Sequence, residues 1–156
     1  MRDLGSIQSP QNAFLINIGL ETLHLRMPKH CENALKVATY LNPGKMLPGS
    51  TIRDWREIST TSWQRNTCQT VPARYLFWLK SGRKGAADFM DKLKLCSIET
   101  HVADSRAAVL HPASHTHRQL TDEQLVEAGV DPSMIRLSVG IEGADDIIED
   151  IRQALE

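Results

Sequence analysis

Two groups of residues in this sequence have types and spacings that could carry out chemistry. Three of the six histidines, His111, His115 and His117, fall within seven residues of one another. Such a cluster could bind a metal ion or transfer protons. Further along the chain, Arg136 stands inside an apolar run that is typical of a buried strand. Because a guanidinium is rarely buried without a carboxylate or phosphate partner, Arg136 indicates an anion site.

The histidine cluster does not have the context that a zinc site needs. A helix would place His111 and His115 on one face, where they could bind zinc together. Pro112 directly follows His111, however, and a residue that precedes a proline disfavours helical geometry. The motif also contains no acidic residue that could act as a base or a third ligand. We therefore predict no metal site but a tight turn whose side chains bond to the local backbone, and a histidine-based metal hydrolase is the alternative.

The arginine is open to more than one interpretation. On the residues alone, Arg136 could bind an anion, pair with Glu142 or Asp145, or face solvent from one side of a strand. His101 lies in another short predicted strand and could stand beside an anion site at Arg136. A single histidine in a strand is nevertheless more often structural than functional.

The composition excludes several classes of protein. The 156 residues suffice for one domain with its own core, and a net charge of −1 favours neither nucleic acid nor an anionic membrane as a partner. Cys31, Cys68 and Cys96 have no ligand spacing, which is typical of reduced thiols. The sequence contains no apolar run long enough to span a membrane and no signal peptide. We therefore predict a cytoplasmic protein.

The elements that must position these residues can be predicted from capping signals and periodicity. Ser9 and Pro10 predict a helix start, and Pro28 is expected to end or kink that helix. Thr121 and Gln124 have the spacing of a capping box, and Gly129 should close the helix that follows. Further helices are predicted over 29–41, 82–95 and from 143 onward, with strands over 98–103, 106–110 and 135–139. This order predicts an α+β fold, in which a small, mainly antiparallel sheet carries helices on one face.

Several of these motifs occur together in one known family. Residues 92–142, above all 109–117 and 136–142, follow its pattern, and so do residues 9–34 in order. The chain resembles the C-terminal domain of the pyridoxal-phosphate enzymes of cysteine and methionine metabolism. This family contains cystathionine synthases and lyases, methionine γ-lyase and O-acetylhomoserine sulfhydrylase. Residues 101–104 and 114–120 are most similar to the O-acetylhomoserine sulfhydrylase branch.

The resemblance implies a role for both candidate site residues. Arg136 matches an arginine that binds the α-carboxylate of the amino-acid substrate, and His101 matches a position near the same carboxylate. The histidine turn then becomes part of the scaffold. The complete enzyme would be a homo-oligomer that uses pyridoxal phosphate to replace the acetyl group of O-acetylhomoserine with sulfide, which gives homocysteine.

The resemblance also implies that this chain alone is inactive. The family's Schiff-base lysine, its pyridine-nitrogen aspartate and most of its phosphate contacts have no match in this sequence, so we assign it no catalytic residue and no cofactor-binding residue. We therefore interpret it as a C-terminal fragment. The alternative is a non-catalytic interaction module that docks on a separate chain carrying the cofactor.

The match to the family pattern divides the chain into three segments. Residues 1–44 form a helical lead-in, 45–81 an anomalous segment, and 82–156 the small C-terminal α/β domain. The middle segment loses the family pattern, and a shifted reading frame through 58–64 can encode a tyrosine-rich stretch of family type. We therefore hypothesise a double frameshift in a truncated or pseudogene-like open reading frame, with a return to the original frame near Gly82. We expect 45–81 to be disordered or non-native, and we expect the sheet to lack one strand.

Overall fold

The computed structural model describes residues 7–41, 52–57, 74–100 and 104–156. It has the predicted α+β architecture. The elements in chain order are α1 Pro10–Glu21, α2 Leu23–Leu41, β1 Ile52–Glu57, β2 Arg74–Leu79, α3 Gly82–Lys92, β3 Ser97–Ile98, β4 Ala108–Leu110, α4 Asp122–Glu127, β5 Met134–Ser138 and α5 Ala144–Leu155. Within these ranges no helix combines the length and the apolar character that crossing a membrane requires.

The strands of the described residues form one five-stranded sheet in the order β1-β2-β5-β4-β3. Every neighbouring pair is antiparallel except β3 and β4, which are parallel. The prediction of a small, mainly antiparallel sheet is therefore confirmed. Strand β5 lies in the middle, and its Arg136 pairs with Leu76 of β2 on one side and Leu110 of β4 on the other.

One face of this sheet forms the hydrophobic core. Alternate residues of β2 and β5 are buried and lie opposite each other, with Tyr75 beside Leu137 and Phe77 beside Ile135. Phe77 meets Phe89 of α3 edge to face, with ring centroids 5.6 Å apart. Helices α2 and α5 add the buried side chains Ala34, Val37, Leu41, Ile147 and Ile151 to the same cluster. Helices α2, α3 and α5 thus cover the face that Arg136 does not occupy.

The capping signals in the sequence correctly predicted the start of α1 and both ends of α4. Ser9 caps α1, because its Oγ accepts a hydrogen bond of 3.2 Å from the Asn12 amide, and Pro10 is the first helical residue. Thr121 and Gln124 form both bonds of the capping box on α4. Gly129 follows that helix with a φ of +77°, a left-handed conformation that glycine adopts at low cost.

Two sequence predictions need correction. Pro28 neither ends nor begins a helix but lies inside α2, and the break between the helices falls instead at Thr22, which caps α1. Its missing N–H removes one helical hydrogen bond, the one that would reach the carbonyl of His24, and the helix continues on both sides of it. The expected loss of a strand from 45–81 is also wrong, since β1 and β2 both come from this segment and β2 pairs directly with β5. The other residues of 45–73 lie outside the described ranges.

A buried carboxylate connects α5 to the chain that leads from α3 into β3. Asp150 accepts hydrogen bonds from the backbone amides of Lys94 (2.8 Å), Leu95 (3.0 Å) and Cys96 (2.8 Å). Burial opposes ionisation of this group, but the three amide donors outweigh it and lower the pKa of Asp150 below its ordinary value. Asp150 therefore fixes the C-terminal helix against the entry to the sheet.

Candidate functional site

Arg136 lies at the centre of the sheet, on the face opposite the core. Its neighbours in β5, Ile135 and Leu137, are fully buried against the helices, so the backbone that carries the arginine is fixed on both sides. The Arg136 side chain is half-buried and stands between Leu76 and Leu110 of the adjacent strands. The structure thus presents a guanidinium from a rigid strand, as an anchor for a planar anion requires.

The guanidinium of Arg136 is held by the chain that follows β3. Its Nη2 donates a hydrogen bond of 2.7 Å to the backbone carbonyl of Thr100. His101, the second predicted site residue, is the next residue along the chain but lies outside the described ranges. The contact places Thr100, the residue before His101, beside the arginine. That His101 stands near the carboxylate bound by Arg136 remains a prediction.

Helix α2 fixes the chain at the end of β5. His30 is buried, and its Nδ1 lies 2.7 Å from the carbonyl oxygen of Val139, which can only accept, so Nδ1 carries the proton. The buried Asn33 amide donates to the carbonyls of Gly140 (2.9 Å) and Glu142 (2.7 Å). We assigned neither residue a role from the sequence, because His30 and Asn33 stand more than a hundred positions before their partners.

Glu142 and Asp145, the two candidate ion-pair partners of Arg136, both lie in the chain that follows β5. The carboxylate of Glu142 accepts a hydrogen bond of 2.7 Å from the Ala107 amide, which brings the loop before β4 to the end of β5. The Ile141 amide adds a bond of 2.9 Å to the Ser105 carbonyl. Asp145 is exposed in the first turn of α5. Glu142 therefore stabilises the loop that leads into β4.

Gly140 allows this close approach, and replacing it should be costly. A Cβ at Gly140 would overlap the backbone of Arg106 and Ala107 as well as the Glu142 carboxylate. We expect Gly140→Ala to lower the free energy of unfolding by about 2 to 3 kcal/mol, as overpacking of a tight contact does. Chemical denaturation of the 156-residue chain measures this change.

Gly19 provides the matched control for Gly140. It lies in the interior of α1, and a Cβ there would meet no atom within 4 Å. Gly19→Ala should not destabilise the chain, because alanine favours a helix over glycine by up to about 1 kcal/mol. Equal losses in the two variants would contradict a steric role for Gly140.

The histidine cluster forms the predicted turn. Nε2 of the fully buried His111 lies 2.7 Å from the Pro132 carbonyl and therefore donates to it. This tautomer leaves Nδ1 as an acceptor for the Ser114 hydroxyl at 2.9 Å. Nδ1 of His115 lies within hydrogen-bond distance of both Ser114 Oγ (2.9 Å) and the His111 carbonyl (3.1 Å). Both nitrogens of His111 thus have partners in the protein, which favours the scaffold interpretation over a metal ligand.

Burial of His111 should make the stability of the protein depend on pH. Burial lowers the pKa of His111 below its ordinary value, and the Pro132 carbonyl opposes this only in part. The unfolded chain therefore binds a proton more readily, with a pKa of about 6.5. We expect the stability that neutral His111 contributes to be complete above about pH 6.5 and to fall as the pH drops below that value.

Denaturation of His111→Gln between pH 7.5 and 5.5 tests this dependence. The variant should be less stable at pH 7.5 and should lose less further stability than the parent chain as the pH falls. His24→Gln, at an exposed position of α2, controls for the loss of one imidazole. Parallel curves for the parent and His111→Gln would contradict the proposed burial effect.

The described lysines do not fit a covalent attachment of pyridoxal phosphate. Lys29 and Lys36 both pair with Glu32 on the surface of α2. The other described lysines are exposed on α3 and the adjoining turns: Lys80, Lys84, Lys92 and Lys94. A Schiff-base lysine must instead be held at the reacting carbon of the cofactor in a sheltered site. Among the described residues, therefore, no lysine is a candidate for the Schiff base with the cofactor.

Comparison with known proteins yields a consistent set of matches. A family model described as Cys/Met metabolism PLP-dependent enzyme matches residues 1–156. The chain is 40% identical to an O-acetyl-L-homoserine sulfhydrylase of Leptospira meyeri, over 100% of this chain and 36% of that protein. It is 35% identical to an L-methionine gamma-lyase of Fusobacterium nucleatum, over 97% of this chain and 38% of that protein.

A solved structure agrees with these matches. It is the crystal structure of an O-acetylhomoserine (thiol)-lyase of Campylobacter jejuni that carries N′-pyridoxyl-lysine-5′-monophosphate. It is 36% identical, with a TM-score of 0.78 over 99% of this chain and 37% of that chain. The chain thus spans well under half the length of the relatives that it matches.

Proposed function

Because this chain belongs to the Cys/Met metabolism family of pyridoxal-phosphate-dependent enzymes, we propose that it contributes the substrate-carboxylate anchor of such an enzyme. Arg136 would bind the α-carboxylate of an amino-acid substrate through two parallel hydrogen bonds. The observation that carries this proposal is the placement of Arg136 on the face of the central strand opposite the main core, with its guanidinium bonded to Thr100.

The surrounding contacts support an anchoring role rather than a catalytic one. The buried neighbours of Arg136 in β5 fix its backbone against the core. His30 and Asn33 fix the chain at the end of the same strand. A carboxylate held by a rigid arginine places the substrate in one orientation before reaction, and this positioning lowers the barrier to the chemical step. The cofactor, when bound in the complete enzyme, supplies the electron sink for that chemistry.

Our proposed reaction is the replacement of the acetyl group of O-acetylhomoserine by sulfide, with homocysteine as the product. It is supported by similarity to an O-acetyl-L-homoserine sulfhydrylase at 40% identity. The similarity to an L-methionine gamma-lyase at 35% identity supports an alternative reaction, the release of methanethiol from methionine. We also propose a cytoplasmic location, which the free thiols of Cys31 and Cys96 support.

We propose that the 156-residue chain alone is inactive, because its described lysines are exposed or paired on the surface. Titration with pyridoxal phosphate, borohydride reduction and mass spectrometry of peptides test this. We expect substoichiometric labelling spread over several lysines. Stoichiometric labelling of one lysine, with turnover of O-acetylhomoserine, would contradict the proposal.

The reaction itself can be tested in a fusion enzyme, in which this chain replaces the matching part of the Leptospira meyeri relative. We expect the fusion enzyme to bind pyridoxal phosphate and to form homocysteine from O-acetylhomoserine and sulfide. Release of methanethiol from methionine, without homocysteine formation, would instead assign the lyase reaction. A fusion enzyme that binds the cofactor but catalyses neither reaction would contradict the proposed function.

A further inference from the structure

The chain that joins β3 to β4, residues 99–107, is tied to β5 and its extension at both ends, and we call it the β3–β4 connection. At its first end, Nη2 of Arg136 donates a hydrogen bond of 2.7 Å to the Thr100 carbonyl. At its second end, the Ala107 amide donates a hydrogen bond of 2.7 Å to the Glu142 carboxylate. Parallel strands usually need a connection of about a dozen residues or more, so this one is short. The anchor arginine and Glu142 therefore hold opposite ends of one short segment.

The second end of the β3–β4 connection is held by a rigid part of the fold. The fully buried Asn33 of α2 donates to the carbonyls of Gly140 (2.9 Å) and Glu142 (2.7 Å), which fixes the backbone that carries the glutamate. Between these two residues, the Ile141 amide donates a bond of 2.9 Å to the Ser105 carbonyl. The carboxylate of Glu142 thus extends from a fixed backbone to the end of the connection.

The Glu142 carboxylate occupies its place at a cost to stability. Its Oε1 accepts the Ala107 amide, whereas its Oε2 is buried and accepts no hydrogen bond from the residues that the structure describes. Burying an acceptor without a donor is unfavourable, so stability alone would not favour a glutamate at this position. Departures of this kind are expected where a side chain also serves function.

We propose that Glu142 is a positioning residue for the substrate carboxylate, and this inference rests on the proposed function. Glu142 holds the second end of the β3–β4 connection, and this sets the place of the Thr100 carbonyl at the first end. The Thr100 carbonyl in turn fixes the direction in which Arg136 presents its planar fork. Because a carboxylate binds to that fork through two parallel hydrogen bonds, a rotated guanidinium aligns with neither. Glu142 thus acts through Arg136 and does not touch the substrate itself.

The carboxylate preference of the fusion enzyme tests this role. It is the ratio of the affinities for O-acetylhomoserine and for its decarboxylated analogue 3-aminopropyl acetate. We expect Glu142→Ala to lower this ratio roughly tenfold, because a misplaced fork weakens binding only of the ligand that carries the carboxylate. A purely structural role of Glu142 would weaken the binding of both ligands alike and leave the ratio unchanged, which would overturn the proposal.

A conservative variant and two controls accompany this measurement. Glu142→Gln should keep the preference within about threefold of the parent, because an amide oxygen can still accept the Ala107 amide. Glu149→Ala removes an exposed carboxylate of α5, and Ile151→Val weakens the core, so neither should change the preference. If Glu142→Ala does not fold, Glu142→Asp keeps the charge but shortens the reach and should lower the preference in its place. A loss of preference in Ile151→Val equal to that in Glu142→Ala would assign the effect to general destabilisation and overturn the proposal.

A spectroscopic readout in the 156-residue chain separates this inference from the proposed function. We expect Glu142→Ala to shift the side-chain N–H resonances of Arg136, and Glu142→Gln to leave them near their parent positions. Resonances that do not move in Glu142→Ala would overturn the inference. In the fusion enzyme, a preference that Arg136→Ala removes but Glu142→Ala retains rejects the inference alone. A parent fusion enzyme without any preference rejects the proposed function, while the Arg136 resonances still report whether Glu142 positions the guanidinium.

Discussion

Replacing Asp150 by alanine is expected to lower the free energy of unfolding by about 3 kcal/mol or more. The substitution removes the acceptor of three backbone amides at the start of the sheet, and one of them belongs to the buried Cys96. Bonds to a charged group contribute about 1.5 to 3 kcal/mol each, and a buried donor without an acceptor is costly. Chemical denaturation of the 156-residue chain at pH 7 measures the loss.

A second acidic residue of the same helix serves as the control. Glu149 is exposed and pairs with Arg152, so Glu149→Ala should cost less than about 1 kcal/mol. The lowered pKa of Asp150 also gives the sign of its pH dependence. Its contribution is complete above the unfolded pKa of about 3.9 and is lost as the pH falls through the folded value. An Asp150→Ala variant no less stable than Glu149→Ala would contradict the assigned role.

The second large effect is expected at Arg136. In the fusion enzyme, Arg136→Ala should lower kcat/KM for O-acetylhomoserine by roughly 10² to 10³-fold, because two charge-assisted hydrogen bonds to the substrate are lost. Arg136→Lys should recover only part of this, since an ammonium cannot reproduce the planar fork. Steady-state kinetics of homocysteine formation measure both variants.

Arg106 offers a matched arginine control for these variants. Its side chain is 63% exposed beside β4 and pairs with Glu99 and Asp104. Arg106→Ala should keep kcat/KM within a few-fold of the parent enzyme, since exposed ion pairs contribute little. If Arg106→Ala and Arg136→Ala lose activity equally, the effect comes from general damage to the sheet rather than from a lost anchor.

Local signals in the sequence predicted the elements that depend on neighbouring residues. Ser9, Thr121 and Gly129 act on backbone groups within a few positions, so their roles are visible in the spacing alone. The alternation around Arg136 likewise predicted β5 to within one residue at either end. The turn at His111 could be predicted because Pro112 excludes the helical alternative.

Contacts between distant parts of the chain could not be predicted in this way. His30 and Asn33 resemble ordinary polar residues of a helix, yet both are buried against the end of β5. Leu35 lies in the apolar pattern of the same helix and is nevertheless exposed. Only the packing of α2 against the rest of the fold decides which of these side chains face inward.

The segment 45–81 is the largest departure from the sequence predictions. Its β2 stretch supplies the buried residues Tyr75, Phe77 and Leu79 of the core, whereas the loss of the family pattern predicted a disordered or non-native segment. Pairing with β5 stabilises β2 as a strand. Because the two strands lie far apart in the sequence, this pairing is not visible in the local periodicity. The frameshift hypothesis remains a prediction, which sequencing of the gene would test.

The central claim is that Arg136 binds the substrate carboxylate, and a comparison of two ligands tests it most directly. The measurement gives the affinity of the fusion enzyme, with and without Arg136→Ala, for O-acetylhomoserine and for its decarboxylated analogue 3-aminopropyl acetate. We predict that the parent enzyme prefers the carboxylate-bearing ligand by roughly 10²-fold and that Arg136→Ala removes most of this preference. A preference that survives unchanged in Arg136→Ala would contradict the account.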